Sequence, residues 1–373
     1  MLSVFGIAIL YVMVILELLV MHVRLKEPLP WREVVLNLNS GHILMWLGRG
    51  VEVMGYAFVL GHISIGWAQH LPVLMQWASV FILWDFCFYW NHRAHHAIPF
   101  LWNVHEVHHQ GEHFSLSLGI RNSWYSSLTS LPFFLPLSFL GFSVEQFIVV
   151  GSMHYFIQFY NHNRLIKKSG VLEYIMVTPA HHMVHHGKNP EYLGKNCSGT
   201  FIIWDKLFGT FQHVLKDVPV VLGIREPIRS ENPYWINMTP FFRYFGINSP
   251  SFKVDQKATF RINEALIGMG GLLLFLWLLF YVSVEMVWDS QRLAFLFLVI
   301  FSSTISICGL SEGRHWGIYT WVLFFFLGPL MFIFSAGVST TFILLFALNC
   351  LHVFLILWLY FKQVNPAKPR LHG

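Results

Sequence analysis

Residues 85–109 read DFCFYWNHRAHHAIPFLWNVHEVHH. An apolar, aromatic run enters this stretch and two histidine clusters leave it, so a membrane segment ends here in a metal-ligand pattern. The first cluster is H-x3-H, at His92 and His96. The second is H-x2-H-H, at His105, His108 and His109, and the same spacing returns as HMVHH at His182, His185 and His186. Neutral imidazole is the commonest metal ligand. Residues three and four apart share a helix face, so each cluster is expected to aim two or three ring nitrogens at one place. Eight imidazoles exceed what one tetrahedral zinc takes. They suit two six-coordinate metals that keep positions open for oxygen. Packing gives no reason to repeat such clusters three times, and burying that many imidazoles without partners is expensive.

The composition is that of a polytopic membrane protein. Charged residues are 12% of the 373-residue chain, against about 25% in globular proteins. Mean hydropathy is +0.55. Apolar runs of bilayer-crossing length, roughly 20 residues, recur at about 2–23, 41–66, 71–90, 124–141, 144–161, 266–285, 293–311, 317–336 and 338–361. The first has no basic flank or small-residue cleavage site and contains Glu17, so it reads as a retained helix and not a signal peptide. The second holds Arg49 and Glu52, three apart and able to pair. The fourth and fifth contain Pro132, Pro136 and Gly141, and read either as two crossings or as a hairpin that enters and returns. Gly328 and Pro329 interrupt their apolar stretch without dividing it, which places the last turn near Gly337. The polar stretch 162–265 carries the third cluster. Its second half, with Pro219, Pro227, Asn232-Pro233, Pro240 and residues 248–250, reads as loop-rich and lying along the membrane surface.

Basic residues fall beside span ends: Arg24, Lys26 and Arg32, then Arg93, then Arg164, Lys167 and Lys168, and finally Lys362, Lys368 and Arg370. The positive-inside rule puts these segments in the cytoplasm, gives nine spans with the N-terminus outside, and brings all three clusters to the cytoplasmic face. The same distribution explains the net charge of +5 without a nucleic-acid partner. Cys87, Cys197, Cys308 and Cys350 are far apart and give neither a disulfide framework nor a zinc ribbon.

Two rival readings compete for the clusters. HEVHH also matches H-E-x-x-H, the zinc metalloprotease helix, with His105 and His109 as ligands and Glu106 as base. That reading leaves five clustered histidines unexplained. A metal transporter would place its ligands mid-membrane, whereas these lie at span ends and in the polar stretch. Outside the clusters, His162 follows an apolar run 20 residues before His182 and is a candidate ninth ligand. His95 has compatible spacing. His181 faces about 100° from His182 on a helix, and His154 reads as a packed core residue.

The segments DFCFYWNHRAHH, LWNVHEVHH and HHMVHHGKN, followed by GTFIIWDKLFGTF, resemble the fatty acid hydroxylase/sterol desaturase superfamily over about residues 75–215. EHFSLSLGIRNS, QFYNH and TPAHHMVHHG are closest to its alkylglycerol monooxygenase-like branch. The resemblance implies an all-α membrane helix bundle holding two Fe, with ligands His92, His96, His105, His108, His109, His162, His182, His185 and His186. It implies O2-dependent hydroxylation, desaturation or ether cleavage of a lipid from the bilayer. The expected location is a bacterial inner membrane or the endoplasmic reticulum. Two positions depart from the pattern: Gln158 stands where some relatives carry a further histidine, and Ala97 where the alkylglycerol branch carries a glutamate. The chain shows no G-x-G-x-x-G and no C-x2-C, so electrons are expected from a separate reductase or a pterin. The resulting division is 1–70 N-terminal helices, 71–215 hydroxylase-like core, 216–265 surface loops and 266–373 a four-helix membrane block. Asp85, Glu106, Glu112, Asn122, Gln158, Asn196 and Asp205 are the polar candidates for fixing imidazole tautomers. Trp90, Trp102, Trp124 and Trp204 read as interfacial belt residues.

Overall fold

The computed structural model describes residues 2–39, 42–228, 230–247, 258–285, 287–333 and 339–364. Residues 248–250, Gly337, Lys368 and Arg370, which the sequence reading used, lie outside them. All regular structure described is helical, apart from one isolated bridge between Met176 and Phe201.

The N-terminal part contains α1 (Leu2–Arg24), α2 (Trp31–Asn39) and α3 (His42–His62). The helices α4 (Val73–Ala97), α5 (Pro99–His109), α6 (Ser126–Leu140), α7 (Val144–Asn161), α8 (Pro179–His185) and α9 (Ile203–Leu207) build the core. After α10 (Pro233–Tyr244) come α11 (Glu264–Val284), α12 (Ser290–Ser311), α13 (His315–Trp321), α14 (Gly328–Ile333) and α15 (Thr340–Val364).

Local chemistry explains these boundaries. The ring of Pro99 occupies the first position of α5, where no N–H is needed. Ser143 and Gln146 form a reciprocal capping box at the start of α7. Gly141 ends α6 at φ +96°, and a Cβ there would meet the backbone of Gly66 at 2.8 Å. Between α13 and α14 the helix widens into a π turn, Val322–Leu327. Pro329 has no N–H for the Phe325 carbonyl four residues earlier, and Asn349 Nδ2 supplies one from α15 at 2.9 Å. The helix therefore runs through Gly328–Pro329, as the unbroken apolar pattern implies.

Among the described residues five helices have the length and composition to cross a membrane: α4, α11, α12, His315–Phe332 and α15. These coincide with five of the nine expected runs, 71–90, 266–285, 293–311, 317–336 and 338–361. α6 has 15 residues, about 22 Å of helix against a hydrocarbon core of about 30 Å. α7 has 18 residues but carries Glu145, Gln146, His154 and Gln158. The N-terminal helices are not one unit: α1 and α2 share a core with α11–α15, through Val14, Leu18, Val34 and Trp277. α3 instead packs with α4, α6 and α7, through Tyr56, Trp84 and Phe147. The surface-loop region contains α10, begun by an Asn232 side-chain cap on the Tyr234 N–H and by Pro233 in the first turn.

Candidate metal centre

Four elements carry the clustered histidines to one end of the core: the last turns of α4, all of α5, the residue capping α7, and α8 with its cap. There the rings separate into two groups, within each of which the ligand atoms lie within 4.8 Å of one another: His92, His96, His105, His109 and His185, and beside them His108, His162, His182 and His186. Each cluster does aim two ring nitrogens at one place, and the second and third send their remaining ring to the other group. α5 sends His105 and His109 to the five-histidine group and His108 to the other. α8 contributes His182 and, at its cap, His186 to the four-histidine group, and His185 to the five. Each of these two helices therefore serves both groups.

The ring nitrogens facing each other are all Nε2. In the first group His92 and His105 are 2.9 Å apart, His96 and His185 3.1 Å, and His105 and His109 3.1 Å. In the second, His162 lies 3.2 Å from His108, 3.1 Å from His186 and 3.0 Å from His182. A metal binding two imidazoles at about 2.1 Å holds them about 3.0 Å apart at right angles and about 3.4 Å apart at the tetrahedral angle. The spacing is that of right-angled ligands. Five imidazoles leave one position of a six-coordinate ion open, and four leave two.

Backbone carbonyls fix four of the nine rings. Nδ1–H donates to a carbonyl at 2.8 Å in four cases: His92 to Cys197, His108 to Arg121, His162 to Gln158 and His185 to Lys195. That bond sets the tautomer and turns the Nε2 lone pair inward. Burial first, and then neighbouring imidazoles, hold His105, His109, His182, His185 and His186 well below the usual histidine range. Burial brings His108 down to about 4. The rings are thus neutral, as metal binding requires.

The side chains expected to do this orienting stand elsewhere. Asp85 accepts from His154 Nε2 at 2.6 Å, Thr200 N at 2.7 Å, Trp204 Nε1 at 2.8 Å and Phe201 N at 3.0 Å. Asp205 accepts from Cys197 N and Ser198 N, at 2.8 and 3.0 Å. Together they hold the 197–205 loop whose Cys197 carbonyl meets His92, so they act one step further out. Asn196, at φ +52°, bonds the His181 and Gln212 carbonyls. Glu106 turns away from both groups to an ion pair with Arg243. That placement removes the base from the metalloprotease reading. Glu112 lines a surface pocket, Asn122 lines a cavity beside the histidine groups, and Gln158 contributes its carbonyl.

His95 bonds the Asn91 carbonyl and Thr129, and His181 lies near Thr178, so neither joins a group. His154, read as a packed residue, is fully buried but partners Asp85. Trp102, read as a belt residue, packs its ring 5.2 Å from His96 and 5.5 Å from His109. Trp204 is the indole donor to Asp85. Sequence reasoning did not assign Glu17 a role. Its carboxylate accepts Leu116 N and Arg164 N, each at 2.6 Å, and pins α1 to the two loops beside His162. An acid inside an apolar run is the one signal of it.

A cavity of about 710 Å3 borders both groups, touching His92 and His105 of one and His108, His162 and His182 of the other. Its remaining wall is mostly apolar, including Phe134, Ile148, Phe275, Leu278 and Val282. Neutral nitrogen donors at one side and a hydrocarbon-lined chamber at the other are suited to redox chemistry on an apolar molecule.

Residues 77–210 match the fatty acid hydroxylase family model. The chain is 32% identical over 237 residues to the alkylglycerol monooxygenase of Xenopus tropicalis, covering 61% of this chain and 51% of that protein. It is 35% identical over 197 residues to the alkylglycerol monooxygenase of Homo sapiens, covering 52% and 43%. To the ornithine lipid hydroxylase of Rhizobium tropici it is 28% identical over 167 residues, covering 44% and 50%. The chain spans about half the length of the curated relatives it matches. No solved structure matches it.

Proposed function

We propose, from the match of residues 77–210 to the fatty acid hydroxylase family model, that the protein is a membrane-bound, O2-dependent lipid oxygenase whose two histidine groups each hold an iron ion. The observation that carries this reading is the convergence of nine neutral imidazoles, in two adjacent groups, beside an apolar cavity. Bound iron would activate O2, so that one oxygen atom enters a lipid C–H bond and the other leaves as water, with two electrons and two protons supplied from outside the chain.

The protein's part is positional. Cys197, Lys195, Arg121 and Gln158 hold four rings through their carbonyls, so the donor set is formed before metal arrives. Trp102 covers the His96 and His109 edge. The apolar wall excludes water and receives an alkyl chain. The relatives named above are all oxygenases by name, which favours oxygen insertion over desaturation. An oxygen inserted beside an ether oxygen gives a hemiacetal that falls apart, so ether cleavage is the same chemistry on a different lipid. In this reading electrons come from a separate reductase or a pterin, and the basic residues beside span ends support a centre on the cytoplasmic side.

The test combines metal analysis of the purified protein with lipid mass spectrometry of cells with and without it. About two irons per chain and a lipid that gains one oxygen, or loses an ether-linked chain, are expected. A lipid losing two hydrogens would replace insertion by desaturation. Unchanged lipids with altered cellular metal would replace the oxygenase by a transporter.

A further inference from the structure

The cavity is not apolar throughout. On the α3 side stand Arg49 and Glu52, whose Nη1–H donates to Oε2 at 2.7 Å, and both residues line the cavity. Glu52 is 2% exposed and Arg49 32%. A charged pair inside the membrane body of a protein is expensive and marks a functional place by default.

The surroundings are shaped for the guanidinium. It lies over the Phe147 ring, 4.9 Å from the centroid. Gly151 leaves room for it, since a Cβ there would stand 2.9 Å from Arg49 Nη2. Only one N–H of five is taken by Glu52, and no other hydrogen-bond acceptor for Arg49 occurs among the described residues. Ser126, Ser127 and Ser130 line the same cavity from α6. The depth is fixed by α7. Gly151, against Arg49, precedes His162 by eleven residues, about 16 Å of helix at 1.5 Å per residue.

We propose that Arg49, balanced by Glu52, is a subsite for a neutral oxygen function of the lipid substrate, a hydroxyl or carbonyl about three helical turns from the carbon presented to the histidine groups. The pair as a whole is neutral, so an uncharged acceptor gains the guanidinium donors without facing unmatched charge. A carboxylate there would be repelled by Glu52. The inference rests on the oxygenase reading and deepens it: the occupant is an oxygenated lipid, and the distance between its oxygen and the reacting carbon is set by the fold.

The test uses full-length, iron-loaded protein in nanodiscs without O2, with radiolabelled hexadecan-1-ol and hexadecane as probes. Wild type is expected to bind the alcohol about tenfold or more tighter than the alkane, the range of a hydrogen bond to a charged donor. The double variant Arg49→Gln/Glu52→Gln removes both charges together and is expected to erase that preference while leaving hexadecane binding and iron content unchanged. Gly151→Ala, which crowds the guanidinium without changing charge, is expected to reduce alcohol binding selectively and decides the case where the double variant does not fold. A retained preference, or an equal loss for both probes, would overturn the subsite. Lipid oxidation by wild type is scored separately. Arg49-dependent alcohol preference without oxidation sinks the oxygenase reading alone, and oxidation without that preference sinks the subsite alone.

Discussion

Replacing Asp85 by Asn removes one acceptor oxygen from a place where four donors converge. Oδ1 takes His154 Nε2 and Thr200 N, and Oδ2 takes Phe201 N and Trp204 Nε1. Whichever way the amide sits, two buried donors then face an NH2. Each orphaned donor costs about 1–3 kcal/mol, so the local loss is about 2–6 kcal/mol. Asp85 is fully buried, so water does not substitute. The segment released is the one whose Cys197 carbonyl holds His92 Nδ1 at 2.8 Å. Losing such an outer partner weakens metal binding about 10- to 100-fold. The four-histidine group is oriented by Arg121 and Gln158, which Asp85 does not touch. Anaerobic Fe(II) titration of Asp85→Asn should therefore show one tight site per chain where wild type has two. Two sites of wild-type affinity would refute the argument. So would the loss of both from a protein whose circular dichroism and thermal midpoint are unchanged.

The division of α5 between two groups predicts that His105→Ala/His109→Ala and His108→Ala/His162→Ala each leave one iron, in different environments by Mössbauer spectroscopy; identical residual spectra would mean a single fused centre. The pH dependence of the metal-free protein has a definite sign. The unfolded chain takes up protons on its histidines below about 6.5, whereas the buried rings resist protonation, so the unfolded state binds more protons. Stability then rises with pH across this window and falls by about 1.4 kcal/mol per pH unit for each such group below 6.5; a flat denaturation profile from pH 7 to 5 would contradict it. Glu106→Gln should keep both irons and oxidise lipid, because Glu106 pairs with Arg243 and not with a ligand ring. Peptide hydrolysis by wild type, lost in this variant, would restore the zinc protease reading.

The clustered spacing and the apolar runs made the helical bundle and the eight clustered imidazoles legible, because both are short-range patterns. The allotment of rings to the two expected metals was not. Yet its cause lies in the same geometry that separated His181 from His182. Adjacent helical residues point about 100° apart, so His108 and His109 on α5 necessarily diverge, as do His185 and His186 at the end of α8. Whether diverging rings meet one metal or two depends on what stands on either side. Here α4 supplies His92 and His96 on one flank of α5, and α7 supplies His162 on the other. No local pattern encodes that flanking. The tautomer-fixing partners were illegible for a related reason: every residue has a carbonyl, so Cys197, Lys195, Arg121 and Gln158 carry no sequence mark for this role. Side-chain acids were the visible alternative, and Asp85 and Asp205 do serve the centre, through the loop and not through the rings. The Asn232-Pro233 pair shows the limit of composition. Read as loop residues they stop structure, whereas as an N-cap and first-turn proline they start α10, which packs on α5 and carries Arg243 to Glu106. Context decided between those two meanings, and the helix it produced is the one that turns Glu106 away from both histidine groups.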